Sequence, residues 1–421
     1  MPDTRPGSIV NEYYLSKVLT LSEEVGVTAT EDIYDCRGTK LLAKGASVSR
    51  QLQERLIVHR LSKPLESSIA VDDAVDGRQL ADCALKACEE SGALGAIVAA
   101  SGLTAGMLRS ELAQLRFAPA MAMMLTMVDR GGKPGLRHVA EVATLALAFA
   151  ARSGLPPDLR QVVSMAGALH DIGELYIDPE LINAKHVLTA EQWAHVIVHP
   201  HIGRLLIQDL GACPPAVGVA VAEHHERLNG TGYPRAMIAG QSSTAGQLVA
   251  SAELISGLLH KPNALERAEL ALKIVGGEHP RMVSALISQA SRTFSAHAFE
   301  PGLATIDDDE IEHLSQRMTQ ASELAAQLAR GAMIAPKHLD LMLRTRERLA
   351  VVQRAFMSTG LDMRISALAS VEVDHFEVFE SELALREISW RVRDIGRDLA
   401  IQLGAARASI PQAEQLLALL C

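Results

Sequence analysis

Between residues 136 and about 295, apolar positions recur at helical rather than alternating spacing, with glycines and prolines as punctuation. "RHVAEVATLALAFAARSG" predicts a helix ending at Gly154, and "PPDLRQVVSMAGALHDIG" one opening on prolines. "TAEQWAHVIV" opens on Thr189 and Gln192 at capping-box spacing. Pro200 then interrupts, so His199 falls at a helix boundary. "PPAVGVAVAEHHE" predicts another proline-started helix, with His224 and His225 at its end. Beyond about 305, Ile311, Leu314, Met318, Ala321 and Leu328 keep a helical period. So do Phe376, Phe379 and Leu383, then Ile388, Val392, Ile395 and Leu399.

The N-terminal part reads differently. "TEDIYDCRGTKLLAKGASVS" places turn chemistry at Asp35–Gly38 and Lys44–Gly45 between short apolar runs, which predicts a small β-hairpin unit. "SRQLQERLIVHRL" predicts a helix capped by Ser49, residues 67–130 read as helical, and "GGKPG" at 131–135 reads as a hinge. Residues 1–25 give no firm signal. The expected fold is mainly α, with a small N-terminal β-hairpin unit, a central helical domain and a C-terminal helical region. The expected divisions are 1–66, 67–130, 131–300 and 305–421.

Composition narrows the function. Aromatics are only 3% of the 421 residues, which favours helices over strands. A net charge of −10 argues against broad nucleic-acid or anionic-membrane binding but leaves room for a local basic pocket. No apolar run approaches the roughly 20 residues of a membrane helix, and "MPDTRPGSIVNEYY" does not resemble a signal peptide. Five cysteines, odd in number and without CxxC pairing, point to a reducing, cytoplasmic setting, and no metal is assigned to them.

The chemistry-bearing residues of the central region are His138, the pair His170–Asp171, His199, the pair His224–His225, and Glu253. Imidazoles with carboxylates and no thiolates suit Mn, Fe or Zn in a reactive rather than a structural site. An aspartate beside a histidine can bridge two cations, and water between them is acidified. Each residue alone has a plainer reading. A single histidine such as His138 is usually a hydrogen-bonded surface group, and "HHE" before a Gly-rich loop is also what a frayed helix end looks like. His186, His195 and His201 stay in that plain class.

Taken together, "HDIGE" at 170–174, "HPHIG" at 199–203 and "HHERLNGTGYP" at 224–234 resemble the HD-GYP family, within the HD superfamily of metal-dependent phosphohydrolases. The resemblance covers roughly residues 120–290. His138 with Gly154-Leu155 takes the place of the family's opening helix, and Ala252-Glu253 that of its later "AD" element. "YDCRGTKLLAKG" is similar to a short segment often found ahead of such domains. The resemblance implies an all-α core with two divalent metal ions, Fe or Mn first. His138, His170, Asp171 and Glu253 would hold one ion; Asp171 would bridge to a second held by His199, His224 and His225. Asp171 and His170 would be catalytic, with a bridging hydroxide attacking the phosphodiester of cyclic di-GMP. Gly232, Tyr233, Pro234 and Glu174 would line the substrate side.

Four departures from the family pattern stand out. Glu174 stands where the family carries a phosphate-contacting lysine, which puts an anion against an anionic substrate. Glu253 replaces the metal-binding aspartate with a longer carboxylate. Pro134 stands where some members place a glutamate for a third metal, so two ions are the expected limit. "LLHKPNALERAELAL" lacks the usual "RPYR", and Ser256 takes the place of a second aspartate. Ligands kept with substrate groups altered fit a phosphodiesterase with changed substrate handling. The alternative is a catalytically weakened or inactive regulatory or scaffold protein that binds nucleotide or a protein partner. Phosphomonoester hydrolysis is a third reading, disfavoured by the GYP loop. The C-terminal helices are the expected surface for a protein partner or a homodimer.

Overall fold

The computed structural model describes residues 9–131, 135–186, 188–211, 213–294, 308–330, 336–361, 375–404, 406, 410 and 412–420. The positions of Pro134 and of most of the expected hinge lie outside them, as does the side chain of Phe376. The chain forms two compact units. One comprises the residues up to Lys185 with His195–His225 and Ser243–Gly257; the other takes His186–Ala194, Glu226–Ser242 and the residues from Leu258 on.

The first unit opens with helix α1 (Glu12–Val25), capped by the Asn11 side chain. Four short strands follow: β1 (Val27–Ala29), β2 (Ile33–Tyr34), β3 (Lys40–Leu42) and β4 (Ile69–Val71). β2 and β3 form the expected hairpin, closed where Asp35 Oδ1 accepts from the amides of Arg37 and Thr39 and Gly38 takes φ +82°. β1 pairs antiparallel with β4, from Val27 opposite Val71 to Ala29 opposite Ile69. That pairing carries the N-terminal fold past residue 66 and puts a strand at the start of a stretch that reads as helical. A second correction concerns Ser49. Its side chain caps nothing; residues Arg50–Leu52 are a single 3₁₀ turn leading into a six-residue α2 (Gln53–Val58).

Helices α3 (Gly77–Glu90), α4 (Gly92–Ala100), α5 (Ala105–Ala113) and α6 (Pro119–Arg130) lead to the central helices. Among the described residues no single helix is long and apolar enough to cross a membrane; α4 and α5 meet the hydropathy test only as a pair, bent by 89°. α7 (Gly135–Arg152) is buried on almost every face from Val139 to Ala150, because it packs on α3, α8 (Pro157–Leu169) and α13 (Thr244–Ser256) at once. Such crowding needs small side chains. A Cβ on Gly167 would come within 3.1 Å of the Ala143 Cα, so alanine and glycine set the α7–α8 spacing. A 3₁₀ turn, Ile172–Tyr176, continues from α8. After it come α9 (Pro179–Ile182), α10 (Ala190–Val196), α11 (His199–Asp209) and α12 (Pro215–Glu223). Thr189 and Gln192 make the reciprocal capping box, at 3.2 and 3.0 Å.

The second unit holds α14 (Ala264–Ile274), α15 (Arg281–Phe294), α16 (Asp308–Leu328), α17 (Pro336–Ser358), the long helix His375–Leu403 and Ala413–Leu420. Ile311, Leu314, Met318, Ala321 and Leu328 join Ile388, Val392, Ile395 and Leu399 in one apolar core, as their period predicts. Ile274 and Val275 belong to that same core, so residues before 300 pack with the C-terminal helices.

Candidate metal centre

Every candidate ligand stands at or near a helix end. His138 lies in the first turn of α7, and His170 caps the C-terminus of α8. Asp171 follows at φ −101°, ψ 11°, and its carboxylate caps no backbone amide of the 3₁₀ turn, which leaves it free to point inward. His199 opens α11, His224 closes α12, and Glu253 is in the last turn of α13. Proline and glycine end these helices in the sequence, and the ends converge.

The seven side chains form two groups that share Asp171. His138, His170, Asp171 and Glu253 offer one ligand atom each within 4.8 Å of one another, and so do Asp171, His199, His224 and His225. Asp171 gives one oxygen to each group. Its Oδ2 is 2.9 Å from His170 Nε2 and 3.8 Å from His138 Nε2; its Oδ1 is 3.3 Å from both His199 Nε2 and His224 Nε2. Glu253 Oε2 closes the first group, 3.1 Å from His170 and 3.3 Å from His138. In the second, the His225 ring lies 4.1 Å from that of His224 and 5.0 Å from that of His199.

Three of the imidazoles are oriented in the same way. Nδ1 of His170, His199 and His224 lies 2.8, 2.8 and 2.6 Å from the carbonyl oxygen three residues earlier, on Gly167, Val196 and Val221. A carbonyl can only accept, so Nδ1 donates its proton and Nε2 turns a lone pair toward the centre. Nε2 of His199 and His224 then face each other at 3.1 Å, and those of His138 and His170 at 3.3 Å. Asp171 Oδ1 and Glu253 Oε2 are buried without a hydrogen-bond donor. Lone pairs pointed at lone pairs are costly unless a cation lies between them. The donor set fits divalent ions.

The electrostatics agree. Burial alone would lower His138, but the carboxylates of Asp171 and Glu253 raise it to about 9. Burial likewise works against His170, and the same two carboxylates still lift it well above the usual range. Burial would raise Asp171 and Glu253, yet the surrounding histidines hold both well below it. The centre thus has a strong appetite for positive charge. His224 and His225 are pushed down by burial and by the neighbouring imidazoles, so both are neutral ligand groups.

Residues 119–268 match the HD domain family. Over 121 residues the chain is 30% identical to a cyclic di-GMP phosphodiesterase of Pseudomonas aeruginosa, covering 29% of each chain. Over 194 residues it is 25% identical to a cyclic di-GMP phosphodiesterase of Thermotoga maritima, covering 44% of this chain and 51% of that one. A 3'3'-cGAMP-specific phosphodiesterase of Vibrio cholerae is 26% identical over 136 residues, 32% of this chain and 31% of its own. This region is an HD domain of the HD-GYP type. The alignments span between about a third and half of the length of these curated relatives.

Within the HD-GYP domain, two glycines of the motifs have a steric cause. A Cβ on Gly173 would lie 2.0 Å from the carbonyl oxygen of His199, and one on Gly203 2.8 Å from Val221 Cγ1. "HDIG" and "HPHIG" therefore end in glycine so that the 3₁₀ turn, α11 and α12 can approach closely enough for His170, His199 and His224 to meet. Ser256, noted in the sequence only as a missing aspartate, lies with its Oγ 3.1 Å from His138 Nδ1 and orients that ring. Glu174 does not turn away. It lines the same cleft as His138 and Asp171, and burial together with the Asp171 charge raises its carboxyl to about 7.

Gly232, Tyr233 and Pro234 belong to the second unit. There the Tyr233 ring meets Trp193 edge-on at 5.4 Å, and Thr231 donates to Glu278 at 2.8 Å. His186, His195 and His201 are exposed and belong to neither group.

Proposed function

We propose that this protein is a metal-dependent phosphodiesterase that hydrolyses a cyclic dinucleotide, cyclic di-GMP first. One observation carries the reading: two four-residue donor groups share Asp171, one carboxylate oxygen to each. His138, His170, Asp171 and Glu253 would hold one divalent ion, and Asp171, His199, His224 and His225 the second. Bound there, such a pair supplies an acidified water and neutralises charge developing on phosphoryl oxygens. Nitrogen and oxygen donors without thiolate suit Fe, Mn or Zn, and the resemblance to HD-GYP proteins puts Fe or Mn first.

The chain's own groups do the rest. The backbone carbonyls of Gly167, Val196 and Val221 fix three imidazole tautomers, and Asp171 and His170 hold the reacting geometry. Gly232, Tyr233 and Pro234 are assigned to substrate binding by motif. The relatives named as cyclic di-GMP and 3'3'-cGAMP phosphodiesterases support this substrate class. We place the protein in the cytoplasm as a signalling enzyme, in keeping with the free thiols of Cys36, Cys83, Cys88 and Cys213. The C-terminal helices, which expose Leu343, Met357 and Trp390, are the proposed surface for a homodimer or a protein partner.

The test is a paired measurement on one preparation purified under low oxygen. Bound metal is counted by elemental analysis, and cleavage of cyclic di-GMP and 3'3'-cGAMP is followed with added Mn²⁺ or Fe²⁺. About two ions with turnover is the expected result. Two ions without turnover would leave a nucleotide-binding or scaffold protein, and no bound metal would sink the centre itself.

A further inference from the structure

The cleft beside the metal centre, about 450 Å³, is lined by His138, Asp171 and Glu174 together with Tyr13 and Lys17 of α1. Its remaining walls are largely apolar, with Leu125, Met127 and Val139 among them. A site for an anionic phosphodiester gains from a cation beside its metal ions, and residue 174 supplies a carboxyl instead. Of the basic side chains on the cleft, Arg130 is exposed and lies 3.7 Å from Asp129, whereas Lys17 is half-buried.

We propose that Lys17, delivered by the N-terminal helix, is the substrate's phosphate-binding cation, and that the apolar walls beside it take a nucleobase. This rests on the phosphodiesterase reading and extends it by making α1 part of the active site. Lys17 Nζ donates to the carbonyl oxygen of Leu175 at 3.1 Å. An ammonium carries three donors, and one bond to a carbonyl does not require it. The neighbouring carbonyl, on Tyr176, is served by the neutral amide of Asn11, also at 3.1 Å. A half-buried charge where a neutral amide would suffice is what a ligand explains. Burial lowers the Lys17 pKa, and only the carboxylates of Glu174 and Asp178 offset that. An incoming phosphate would contribute a nearer partner.

The test compares five forms of the full-length, metal-loaded chain: wild type, Lys17→Met, Lys17→Arg, Asn11→Ala, and the double variant Lys17→Met with Glu174→Lys. Metal content is measured on each. Loss of one charge-assisted contact predicts a KM for cyclic di-GMP raised roughly 10- to 100-fold in Lys17→Met, with kcat within about threefold. Lys17→Arg should keep most of the affinity, and Asn11→Ala, which removes the cap of α1 but no charge, should cost stability while leaving KM within about threefold. The double variant should recover most of what Lys17→Met loses, because it returns a cation to the same cleft. The proposal falls if Lys17→Met leaves KM unchanged, if Asn11→Ala raises it equally, or if the double variant recovers nothing. If the loaded wild type does not turn over, the phosphodiesterase reading fails separately. Calorimetric titration with cyclic di-GMP then decides Lys17: tenfold weaker binding in Lys17→Met upholds it, and absent or unchanged binding ends it.

Discussion

His199 and His224 point their Nε2 atoms at each other across 3.1 Å, while the Nδ1 proton of each is held by a carbonyl of its own helix. Two acceptors at that separation repel one another, so the metal-free centre stores unfavourable electrostatics that a cation removes. Chelation should therefore lower the melting temperature by about 5 °C or more, as expected when a ligand near 100 times its Kd is withdrawn. In Asp171→Ala, which lacks the shared carboxylate, calorimetry with and without chelator should show little difference. Turnover in that variant should fall by more than ~10³-fold. A wild-type melting temperature indifferent to chelator would remove the case for bound metal.

The two groups make separable predictions. His225 belongs only to the group on Asp171 Oδ1, so His225→Ala should cut bound metal from about two ions to about one. Ser256 Oγ is hydrogen-bonded to His138, a member of the other group, so Ser256→Ala should weaken that group, by roughly tenfold in metal affinity. Elemental analysis of dialysed samples reads both. Equal depletion by the two variants would show that the donors do not divide as proposed.

Gly173 bears on the centre without offering a ligand atom. Its missing Cβ makes room for the His199 carbonyl, and alanine there would have to push α11 away. Gly173→Ala should cost about 2–3 kcal/mol of stability in denaturant titration and reduce metal in the His199 group. Full metal content in a folded Gly173→Ala protein would show that α11 has freedom the packing does not suggest.

The second unit carries a buried ion pair between Glu278 and Arg391, with Arg391 Nε donating to Oε1 at 2.9 Å. Burial pushes the Glu278 carboxyl up, but Arg391 outweighs it and holds the group at about 2. A lowered pKa contributes stability that is fully present above the unfolded value near 4.5 and is lost as pH falls from there toward 2. Glu278→Gln should cost about 2 kcal/mol at pH 7, because it leaves a buried guanidinium with Glu387 as its remaining carboxylate partner. Its penalty should shrink as pH falls through that window, followed by urea denaturation at several pH values. A penalty that stays constant down to pH 3 would show that the pair does not act through charge.

The sequence by itself determined what is local. The helical period, proline-started helices and capping box of residues 136–256 are short-range patterns, and α7, α8, α10 and α12 form where they point. The C-terminal helices follow from theirs, since the apolar stripe through Ile311, Leu314 and Met318 can be buried only as one face. The motifs singled out the seven residues of the centre, and they stand at helix ends because glycine and proline stop the chain there.

What only the tertiary structure decided is which distant pieces touch. β1 finds β4 some 40 residues on, and Ser49 fails as a cap because the chain begins there with a 3₁₀ turn. That Gly173 faces the His199 carbonyl, or that Ser256 reaches His138, depends on interhelical distances that no periodicity records. Lys17 is the sharpest case. Residues 1–25 give no functional signal in sequence, yet α1 docks on the 3₁₀ turn that carries Glu174 and lines the cleft beside Asp171. Local patterns encode which face of a helix is apolar; they do not encode the charge a remote helix brings to that face.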